Sequence, residues 1–553
     1  MTEQALAGGA ARGHGIGTPA DGERLWWIRD QMHFPRPMCP YTISVEVPAM
    51  SSGASKGFRS YGIPASFLLA NFDGYNYNAV EFDSTDVAAW LPAVQTAVIG
   101  RLNGLLDEWH GTMLPEVMRH NRRLRDFDYA GASTDELIAQ IDESRRIRER
   151  LWDLHMQVVI PVLFAANELA NVWGVAFGED RRDESALLFT GHANKTVEAG
   201  VALWKLSRDA RALPGVAELI AVTPLKRIVP LLGTTDAGRA FKAKLDAYLD
   251  EYGWRTGAFE YADPPQIDDP TIPLATLRDF LAEPDDRDPG LRTAQAARER
   301  DALLDRLGPE IDAHPAGPML RMLIAACQQY VPVQEDHNFY IDQMGTVLMR
   351  LPPLEAGRRL AAADAIALAE DVFYLAVDEV KGALRAPASR GWAELVAERR
   401  DILQEQAHRR PPDTIGTPWP QELQDDPALG GFNRFFGDVV EQDEHSNVLR
   451  GTAASRGVVS GPACVVSTLD QTDRLRPGDI LVCEMTMPAW TPLFAVAAGV
   501  VTDSGGMLSH SAIVAREYGI PCVCGASGAT RRIRDGQRVT VDGAAGTVTL
   551  HQD

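Results

Sequence analysis

The sequence predicts a multi-domain protein in which a large, mostly α-helical domain is followed by a small α/β domain. From residue 23 to 406 apolar residues recur at helical spacing, and after residue 449 short β-branched runs alternate with Gly and Pro. A length of 553 residues suits two to four domains. We therefore expect a flexible tail (1–22), a helical domain (23–406), an interdomain linker (407–448) and a C-terminal α/β domain (449–553).

Composition is that of a soluble globular protein, with 45% apolar and 24% charged residues. The net charge of −22 argues against a nucleic-acid partner, because phosphate backbones need a basic surface, but a few arginines could still hold a small anion. Six scattered cysteines indicate a reducing compartment, and we expect a cytoplasmic protein. Cys522 and Cys524 lack a second Cys/His pair nearby, so we predict buried strand residues and no metal site.

The N-terminal residues contain no apolar core like that of a signal peptide, and we expect a loose tail. The most apolar stretch, Met156 to Phe177, carries Gln157, Asn167 and Glu168. These polar residues favour a buried helix over a membrane span. We therefore expect no membrane partner.

In the first 406 residues the helical signal is clearest around MLRMLIAACQQY. Leu320, Leu323, Ile324 and Cys327 fall at i, i+3, i+4 and i+7 and form one apolar stripe. The Pro-rich stretch from Arg409 to Gly431 has no apolar period, which is typical of an interdomain linker.

The last 105 residues have the pattern of a small α/β domain. Runs such as GDILVCEMT, AAGVVTDSGG and QRVTVDGAAGTVTL are short and rich in Val and Ile, and Gly or Pro separates them. One helix interrupts these strands, from Ser511 to about Tyr518, and Gly519 and Pro521 end it.

His510 stands where a strand (GVVTD) passes through a glycine pair into that helix. Gly505 and Gly506 let the backbone approach an incoming group, and the first helical turn after Ser509 offers unpaired N–H groups and a positive dipole end. This is an anion site, and it favours a neutral imidazole that could take up and pass on a phosphoryl group. The alternative is a polar residue that caps the turn.

The stretch VTDSGGMLSHSAIVAREYGIPCVCG closely resembles the phosphohistidine signature of the phosphoenolpyruvate-utilising enzyme superfamily. The similarity extends from LRGTAASRGVVSGPACVV to IRDGQRVTVDGAAGTVTL. It implies a swivelling β/β/α domain in which His510 carries the phosphoryl group between two sites. Many dikinases have Thr where this chain has Leu508; the LSH form is typical of the rifampicin phosphotransferase branch and argues against pyruvate as the acceptor.

Dikinases of the superfamily also have a phosphoenolpyruvate-binding barrel and an ATP-grasp domain, and we expect this chain to contain neither. Four helical segments resemble the substrate domain of rifampicin phosphotransferases: Trp26 to Pro40, Leu187 to Leu206, Tyr248 to Glu260 and Val331 to Gln343. A layout with ATP-grasp on another chain resembles phenylphosphate synthase. The resemblance therefore implies a separate ATP-grasp subunit that binds most of the ATP and Mg²⁺.

In the segment EDHNFYIDQMGTVL, His337 shares an apolar helical stripe with Ile341, Met344 and Leu348. With Glu335 and Asp336 beside it as substrate-binding groups, His337 could take the proton from an acceptor hydroxyl. The alternative is a core histidine, with carboxylates that only complement the helix dipole.

Three further residues are candidates for the acceptor site. His33 and Arg36 in HFPRP, and Arg255 in YGWRTG, are cations in proline- or glycine-bearing turns. Arginine binds phosphate bidentately, so we assign Arg255 and Arg36 to phosphate and His33 to the substrate. Each could equally be an ordinary surface or ion-paired residue.

The leading hypothesis is a phosphotransferase subunit that carries a phosphoryl group on His510 from ATP to a hydroxyl of a small organic acceptor. A phenol is the first choice of acceptor, by resemblance to phenylphosphate synthase, and an antibiotic or other alcohol is the second. The competing hypotheses are a non-catalytic phosphocarrier or regulatory protein and a relative that has lost its phosphoryl donor.

Overall fold

The computed structural model describes residues 24–31, 33–102, 104–409, 411–419, 442–443, 445–467, 471, 474–486, 490–507 and 509–551. The predicted tail (1–22), most of the predicted linker (420–441) and Leu508 lie outside the described residues. Contacts divide the chain into two compact units. Unit 1 comprises Met1–Pro161, Ala258–Pro264 and Tyr340–Asp425, and unit 2 comprises Val162–Gly257, Pro265–Phe339 and Asp426–Asp553.

Helices dominate the described residues. The α-helices are α1 (Pro40–Ser60), α2 (Val87–Leu102), α3 (Leu105–Glu108), α4 (Leu114–Arg125), α5 (Thr134–Phe177), α6 (Lys195–Ala212), α7 (Val216–Val222), α8 (Leu225–Leu232), α9 (Asp236–Tyr252), α10 (Thr271–Ala282), α11 (Pro289–Ala313), α12 (Gly317–His337), α13 (Met344–Leu348), α14 (Leu351–Ala362), α15 (Val377–Arg385), α16 (Trp392–Ala407), α17 (Thr491–Phe494), α18 (His510–Tyr518) and α19 (Ala529–Arg532). Short 3₁₀-helices cover Glu179–Phe189, Asp285–Arg287, Ala369–Tyr374 and Pro387–Ser389, and π-helical turns cover Trp109–Met113 and Asn338–Gln343.

The strands form two separate sheets. They are β1 (Trp26–Arg29), β2 (Ala65–Phe72), β3 (Tyr75–Phe82), β4 (Thr414–Gly416), β5 (Val448–Arg450), β6 (Thr452–Ser455), β7 (Val458–Val465), β8 (Ile480–Cys483), β9 (Gly499–Thr502), β10 (Cys522–Cys524), β11 (Arg538–Asp542) and β12 (Thr547–Leu550). The predicted fold class, a large helical region followed by a small α/β domain, is confirmed.

Unit 1 contains an antiparallel sheet of order β2-β3-β1-β4, which the sequence analysis did not anticipate. Its hairpin turns at Asp73 and Gly74, both with positive φ, between the paired residues Phe72 and Tyr75. Asp-Gly between two β-rich runs is a strong hairpin signal, so the hairpin was readable from the sequence. Strand β4 lies in the predicted linker and pairs with β1 through Trp26 and Gly416.

Helices α1 and α5 approach closely in unit 1 because α1 has glycines at the contact. A Cβ atom on Gly53 would lie 2.3 Å from Glu149 O, and one on Gly57 would lie 2.3 Å from Met156 Cβ. Helix α5 is long and apolar enough to cross a membrane by length and composition alone. Within the structure, 72% of its most apolar window is buried, as expected for a core helix.

The helical part of unit 2 has a core of Leu, Ile, Trp and Phe side chains contributed by α6 to α10. Its fully buried members include Leu203, Ile220, Ile228, Phe241 and Leu277. The long helices α11 and α12 also belong to this unit, and α12 contains the stripe of Leu320, Leu323, Ile324 and Cys327. Each of these four residues is buried, which agrees with the predicted stripe.

The C-terminal domain, also in unit 2, is built on an eight-stranded sheet of order β5-β12-β11-β7-β8-β9-β10-β6. The central strands β7, β8, β9 and β10 run parallel, and the pairs toward both edges are antiparallel. Val482, Val501 and Val523 on these strands are buried in its core. The topology places the carboxyl end of β9, and the loop that follows it, at the edge of the parallel strands.

Candidate functional site

The loop between β9 and α18 places His510 at the first position of the helix. Gly505 has a φ of 110°, and a Cβ atom there would lie 2.9 Å from Ser509 Oγ. Ser509 caps the helix: its Oγ accepts a hydrogen bond from Ala512 N at 3.4 Å and donates one to Gly506 O at 2.8 Å. Only glycine fits this turn. The cap fixes the first turn of the helix, which faces the group that binds to His510.

Helix α18 starts at His510, one residue before the predicted start, and ends as predicted at Gly519, whose φ of 63° is left-handed. Arg516 near its end reaches back to the loop. It donates hydrogen bonds from Nη2 to Met507 O at 2.8 Å and from Nη1 to Ala454 O at 3.0 Å. The helix therefore holds the loop that precedes its own first residue.

The His510 imidazole is largely buried and lies near a carboxyl and a hydroxyl. Nδ1 lies 3.9 Å from Glu335 Oε2 on α12, and Nε2 lies 3.3 Å from Thr491 Oγ1 on α17. The ring of Phe494 stands edge-on at 6.2 Å. The two ring nitrogens are thus distinguished, one by a carboxylate and the other by a hydroxyl.

Glu335 is a buried carboxyl with a hydroxyl partner. Its Oε2 accepts a hydrogen bond from Thr196 Oγ1 at 2.9 Å, and its side chain is 3% exposed. Burial raises the pKa of Glu335 to about 7, against the opposing effects of Thr196 and Arg255. The carboxyl therefore changes protonation near neutral pH beside the nitrogen of His510.

Arg255 is a buried guanidinium without a full set of partners. Its Nη2 donates to Lys195 O at 3.3 Å, and its guanidinium lies 4.9 Å from the centre of the Phe339 ring. Its Nε is buried and has no hydrogen-bond partner in the described part of the chain. Burial lowers the pKa of Arg255, and Tyr248 and Glu335 are the groups that most favour its charged form. A buried cation with an open donor is suited to an incoming anion.

Asp336 and His337 follow Glu335 at the end of α12. Asp336 Oδ1 accepts a hydrogen bond from Lys195 N at 2.9 Å, at the start of α6. This bond satisfies a free N–H of the first helical turn, so Asp336 has a structural contact where we predicted a substrate-binding role. His337 is fully buried at the last position of α12.

His33 and Arg36 belong to unit 1, whereas the other predicted site residues belong to unit 2. His33 Nδ1 lies 2.9 Å from Asp30 Oδ2, and Arg36 forms an ion pair with Asp263. Arg36 therefore has a carboxylate partner, which is the ion-paired alternative considered for it. The assignments of both residues remain predictions.

The sequence analysis missed three contributors to the site: Thr196, Thr491 and Phe494. Thr196 follows Asn194, which caps α6 through a hydrogen bond from Val197 N at 2.9 Å. An Asn-x-Thr step before an apolar run signals a helix start, but it carries no sign of a partner more than a hundred residues away.

Glu517 joins α18 to the helical part of unit 2. Its carboxylate accepts hydrogen bonds from Gly191 N at 3.0 and 3.2 Å, and burial raises its pKa to about 7. It also lines an apolar cavity with Cys327, Tyr330 and Ile513. These bonds brace α18 against the helical part of unit 2.

Two family models match the chain, and they define its class. The mobile domain of phosphoenolpyruvate-utilising enzymes matches residues 475–546, which include the glycine loop and His510. The fourth domain of rifampicin phosphotransferase matches residues 154–335, which include Thr196, Arg255 and Glu335. The chain belongs to the phosphoenolpyruvate-utilising enzyme superfamily, in its rifampicin phosphotransferase-like branch.

Individual relatives agree with this class. A chondramide synthase of Chondromyces crocatus is 32% identical over 95% of this chain and 14% of its own length. An uncharacterized phosphotransferase of Bacillus subtilis is 28% identical over 95% of this chain and 62% of its own length. A rifampicin phosphotransferase of Streptomyces sviceus is 31% identical over 67% of this chain and 41% of its own length. The chain thus spans less than two thirds of each relative.

Proposed function

We propose that this chain is a phosphotransferase component in which His510 carries a phosphoryl group and transfers it to a hydroxyl of a small organic acceptor. The observation that supports this most is the buried Arg255, with an open Nε, close enough to Glu335 for each to shift the other's pKa. Glu335 in turn contacts His510. A reactive imidazole and an under-coordinated guanidinium that both interact with one carboxyl fit phosphoryl transfer.

The contacts of the imidazole favour Nε2 as the phosphorylated atom. Nδ1 faces Glu335, whose negative charge would repel a phosphoryl group, whereas Nε2 faces the Thr491 hydroxyl, which can donate a hydrogen bond. Glu335 can hold a proton at Nδ1 while the P–Nε2 bond breaks. The imidazole then leaves as a neutral group, which lowers the barrier to transfer.

ATP and Mg²⁺ belong, in this proposal, to a separate ATP-grasp subunit that phosphorylates His510. Mg²⁺ in nucleotide sites is held by one or two carboxylates together with the phosphates. Glu335, the carboxyl beside His510, has a pKa that burial raises to about 7, so it is partly protonated near neutral pH and is a weak ligand for Mg²⁺.

The test uses the chain together with the proteins that co-purify with it from its native host. ATP labelled separately in the β and γ phosphates is added, and acid-labile label on the chain is measured, with His510→Ala as the control. We expect label from the β phosphate that disappears in the variant. If an ATP-grasp partner is present and neither phosphate labels the chain, the phosphohistidine proposal is wrong.

A further inference from the structure

The end of α18 is held by a loop in the helical part of unit 2, residues 190–194. Glu517 accepts hydrogen bonds from Gly191 N on both of its oxygens, at 3.0 and 3.2 Å, and it is 4% exposed. Burial raises the pKa of Glu517 to about 7, and the backbone N–H groups of Gly191 and His192 oppose this by favouring the charged form. Successive backbone N–H groups that converge in this way form a small site for an anion, which here is a carboxylate.

The loop is held in place by α11. Gly191 has a φ of 75°, and a Cβ atom there would lie 2.3 Å from Ala297 N. Arg300, also on α11, donates from Nη1 to Thr190 O at 2.8 Å. Only glycine lets the loop lie so close to the helix. The position of the Gly191 N–H is thus set by contacts that do not involve Glu517.

The same stretch of chain contacts the group beside His510. Thr196 Oγ1, five residues after Gly191, donates a hydrogen bond to Glu335 Oε2 at 2.9 Å. That oxygen lies 3.9 Å from His510 Nδ1. One short segment therefore binds both the carboxyl next to the imidazole and the carboxyl seven residues further along α18.

The spacing of His510 and Glu517 makes α18 a lever. Seven residues form nearly two helical turns, so the two side chains lie on one face of the helix and are about 10 Å apart along its axis. A helix that is held at one end is free to pivot, whereas contacts at both ends also fix its direction. Glu517 thus sets the direction in which α18 presents His510 to Glu335.

Two further polar contacts between the C-terminal domain and the helical part of unit 2 are weaker. Tyr518 O accepts a hydrogen bond from Arg292 Nη1 at 3.3 Å. Arg456 pairs with Glu184 at 3.6 Å, but its side chain is 58% exposed, and exposed ion pairs contribute little. The bonds of Glu517 are buried and involve a charged acceptor, and such hydrogen bonds are the strong ones.

His510 is covered in this arrangement. Its side chain is 9% exposed, and Thr491 and Phe494 lie beside the ring. Phosphorylation needs direct approach of the donor phosphate to a ring nitrogen. A nucleotide held by a separate protein therefore requires that α18 first leaves this position.

We propose that Glu517 is the positioning residue of the carrier: its carboxylate docks on the backbone N–H groups of Gly191 and His192, holds His510 at Glu335 for transfer, and undocks when His510 is to be phosphorylated. This inference rests on the proposed function of His510. No covalent bond changes at Glu517, because docking only exchanges hydrogen bonds with water for hydrogen bonds with the loop. Glu517 is therefore needed for transfer to the acceptor and not for uptake of the phosphoryl group.

The test measures how often His510 is uncovered in the full chain. Diethyl pyrocarbonate acylates accessible neutral imidazoles, and mass spectrometry of the peptide that contains His510 gives the rate of this modification. His408 is exposed and serves as the internal reference. Since a covered ring reacts slowly, the rate at His510 reports the undocked fraction, and it requires neither ATP nor an acceptor.

We expect Glu517→Ala to raise the rate at His510 by roughly 10-fold, because it removes buried hydrogen bonds to a charged group, and to leave the rate at His408 unchanged. Glu517→Gln retains one acceptor oxygen and should lie between the wild type and Glu517→Ala. Gly191→Ala should match Glu517→Ala, because the added Cβ displaces the loop. The double variant should react no faster than either single one, since both changes remove the same contact.

Two matched controls separate undocking from general loss of stability. Gly215, also in the helical part of unit 2, has a φ of 74°, but no atom lies within 4 Å of its Cβ position. Asp542 accepts hydrogen bonds from Ala544 N and Ala545 N at 3.0 and 2.9 Å, within a turn of its own domain. Gly215→Ala and Asp542→Ala should lower the melting temperature without changing the rate at His510.

Three results would overturn the inference: an unchanged rate at His510 in Glu517→Ala, independent effects of Gly191→Ala and Glu517→Ala, and an equal increase in the two controls. Labelling from ATP with the co-purifying proteins provides the second measurement. Glu517→Ala should take up label at least as fast as the wild type, and slower uptake would also contradict the docking role. If ATP labels no variant, the phosphohistidine proposal is wrong, while the acylation rates still decide whether Glu517 docks α18.

Discussion

Arg255 is the residue whose environment is hardest to explain without a ligand. A guanidinium that is 3% exposed has to lose most of its hydration, yet its Nε has no hydrogen-bond partner in the described part of the chain. Desolvating a cation without compensation is costly, so an incoming phosphoryl group would relieve a strained arrangement.

We predict that Arg255→Met lowers the rate of phosphoryl transfer by roughly 10²-fold while leaving the chain folded. The decay of label on His510 in the presence of acceptor measures the rate, and circular dichroism checks the fold. Arg321, which is partly exposed and paired with Asp312, is the control, and Arg321→Met should transfer normally. Normal transfer by Arg255→Met would remove this residue from the site.

Glu335 gives the stability a predictable pH dependence. Burial raises the pKa of its carboxyl from 4.5 to about 7 in the folded chain. The unfolded state therefore loses this proton at lower pH than the folded state. The contribution of Glu335 to stability is fully present below pH 4.5 and is lost as the pH rises to about 7.

We predict that Glu335→Gln raises the free energy of unfolding at pH 8 by up to about 3 kcal/mol, and changes it little near pH 4.5. Urea titrations at the two pH values would measure the difference. Glu310→Gln is the control, because that side chain is 58% exposed. An equal effect of Glu335→Gln at both pH values would show that its carboxyl titrates normally.

At the scale of elements, the turn before α18 depends on one glycine. Gly505 combines a φ of 110° with a neighbour, Ser509 Oγ, only 2.9 Å from where a Cβ would stand. Gly536 also has a positive φ, 78°, but no atom lies within 4 Å of its Cβ position. Substitutions at the two glycines therefore distinguish the effect of backbone strain from the effect of disrupting the cap.

We predict that Gly505→Ala and Gly536→Ala each destabilise the domain by about 1–2 kcal/mol, and that only Gly505→Ala lowers phosphorylation of His510, by roughly 10-fold or more. Thermal unfolding and the acid-labile label would be measured on the same samples. A loss of label in both variants would assign the effect to stability alone.

The packing of α18 against α6 involves an unsatisfied hydroxyl. Tyr518 Oη is buried without a hydrogen-bond partner among the described residues, and it would lie 2.6 Å from a Cβ on Gly200. Gly200 thus leaves just enough room for the hydroxyl. The contact joins the phosphohistidine helix to the helical part of unit 2.

We predict that Tyr518→Phe stabilises the chain by about 1 kcal/mol, because it removes a buried unpaired group. Gly200→Ala should destabilise the chain, and Tyr518→Phe should rescue it. A double-mutant cycle on unfolding free energies measures the coupling. Additive effects of the two changes would refute the contact.

At the scale of the whole molecule, phosphorylation should loosen the association of α18 with the helical part of unit 2. A phosphoryl group on Nε2 adds nearly two negative charges to an imidazole whose other nitrogen, Nδ1, lies 3.9 Å from Glu335 Oε2. Like charges on two sides of one ring in a buried site repel each other. The same repulsion would free the carrier for its next partner.

We predict that phosphorylation with phosphoramidate increases amide hydrogen exchange several-fold in α18 and at the end of α12. The hairpin of β2 and β3, in unit 1, is the internal control and should not change. His510→Ala treated in the same way should show no increase. Unchanged exchange in α18 of the phosphorylated chain would contradict charge-driven release.

Features that depend on neighbours along the chain were predictable without the structure. Gly505 and Gly506 before His510, and Gly519 and Pro521 after Tyr518, mark the turn, the helix and its end through local backbone chemistry. The Asp73–Gly74 hairpin was equally local, and it was missed only because the helical period dominated that region. The periodicity of apolar residues was sufficient to predict the fold class, because buried positions recur with the period of a helix or of a strand.

Contacts between groups that are distant in the sequence were not predictable in this way. Thr196 and Glu335 come from different helices and Arg255 from the loop after α9, and no spacing in the sequence relates any of them to His510. The same holds for Trp152 beside the Asp30–His33 pair. Sequence patterns record which face of an element is apolar, but not its partner, because many partners satisfy the same apolar face. The partners are therefore set by packing of the whole chain, and with them the distances on which the chemistry depends.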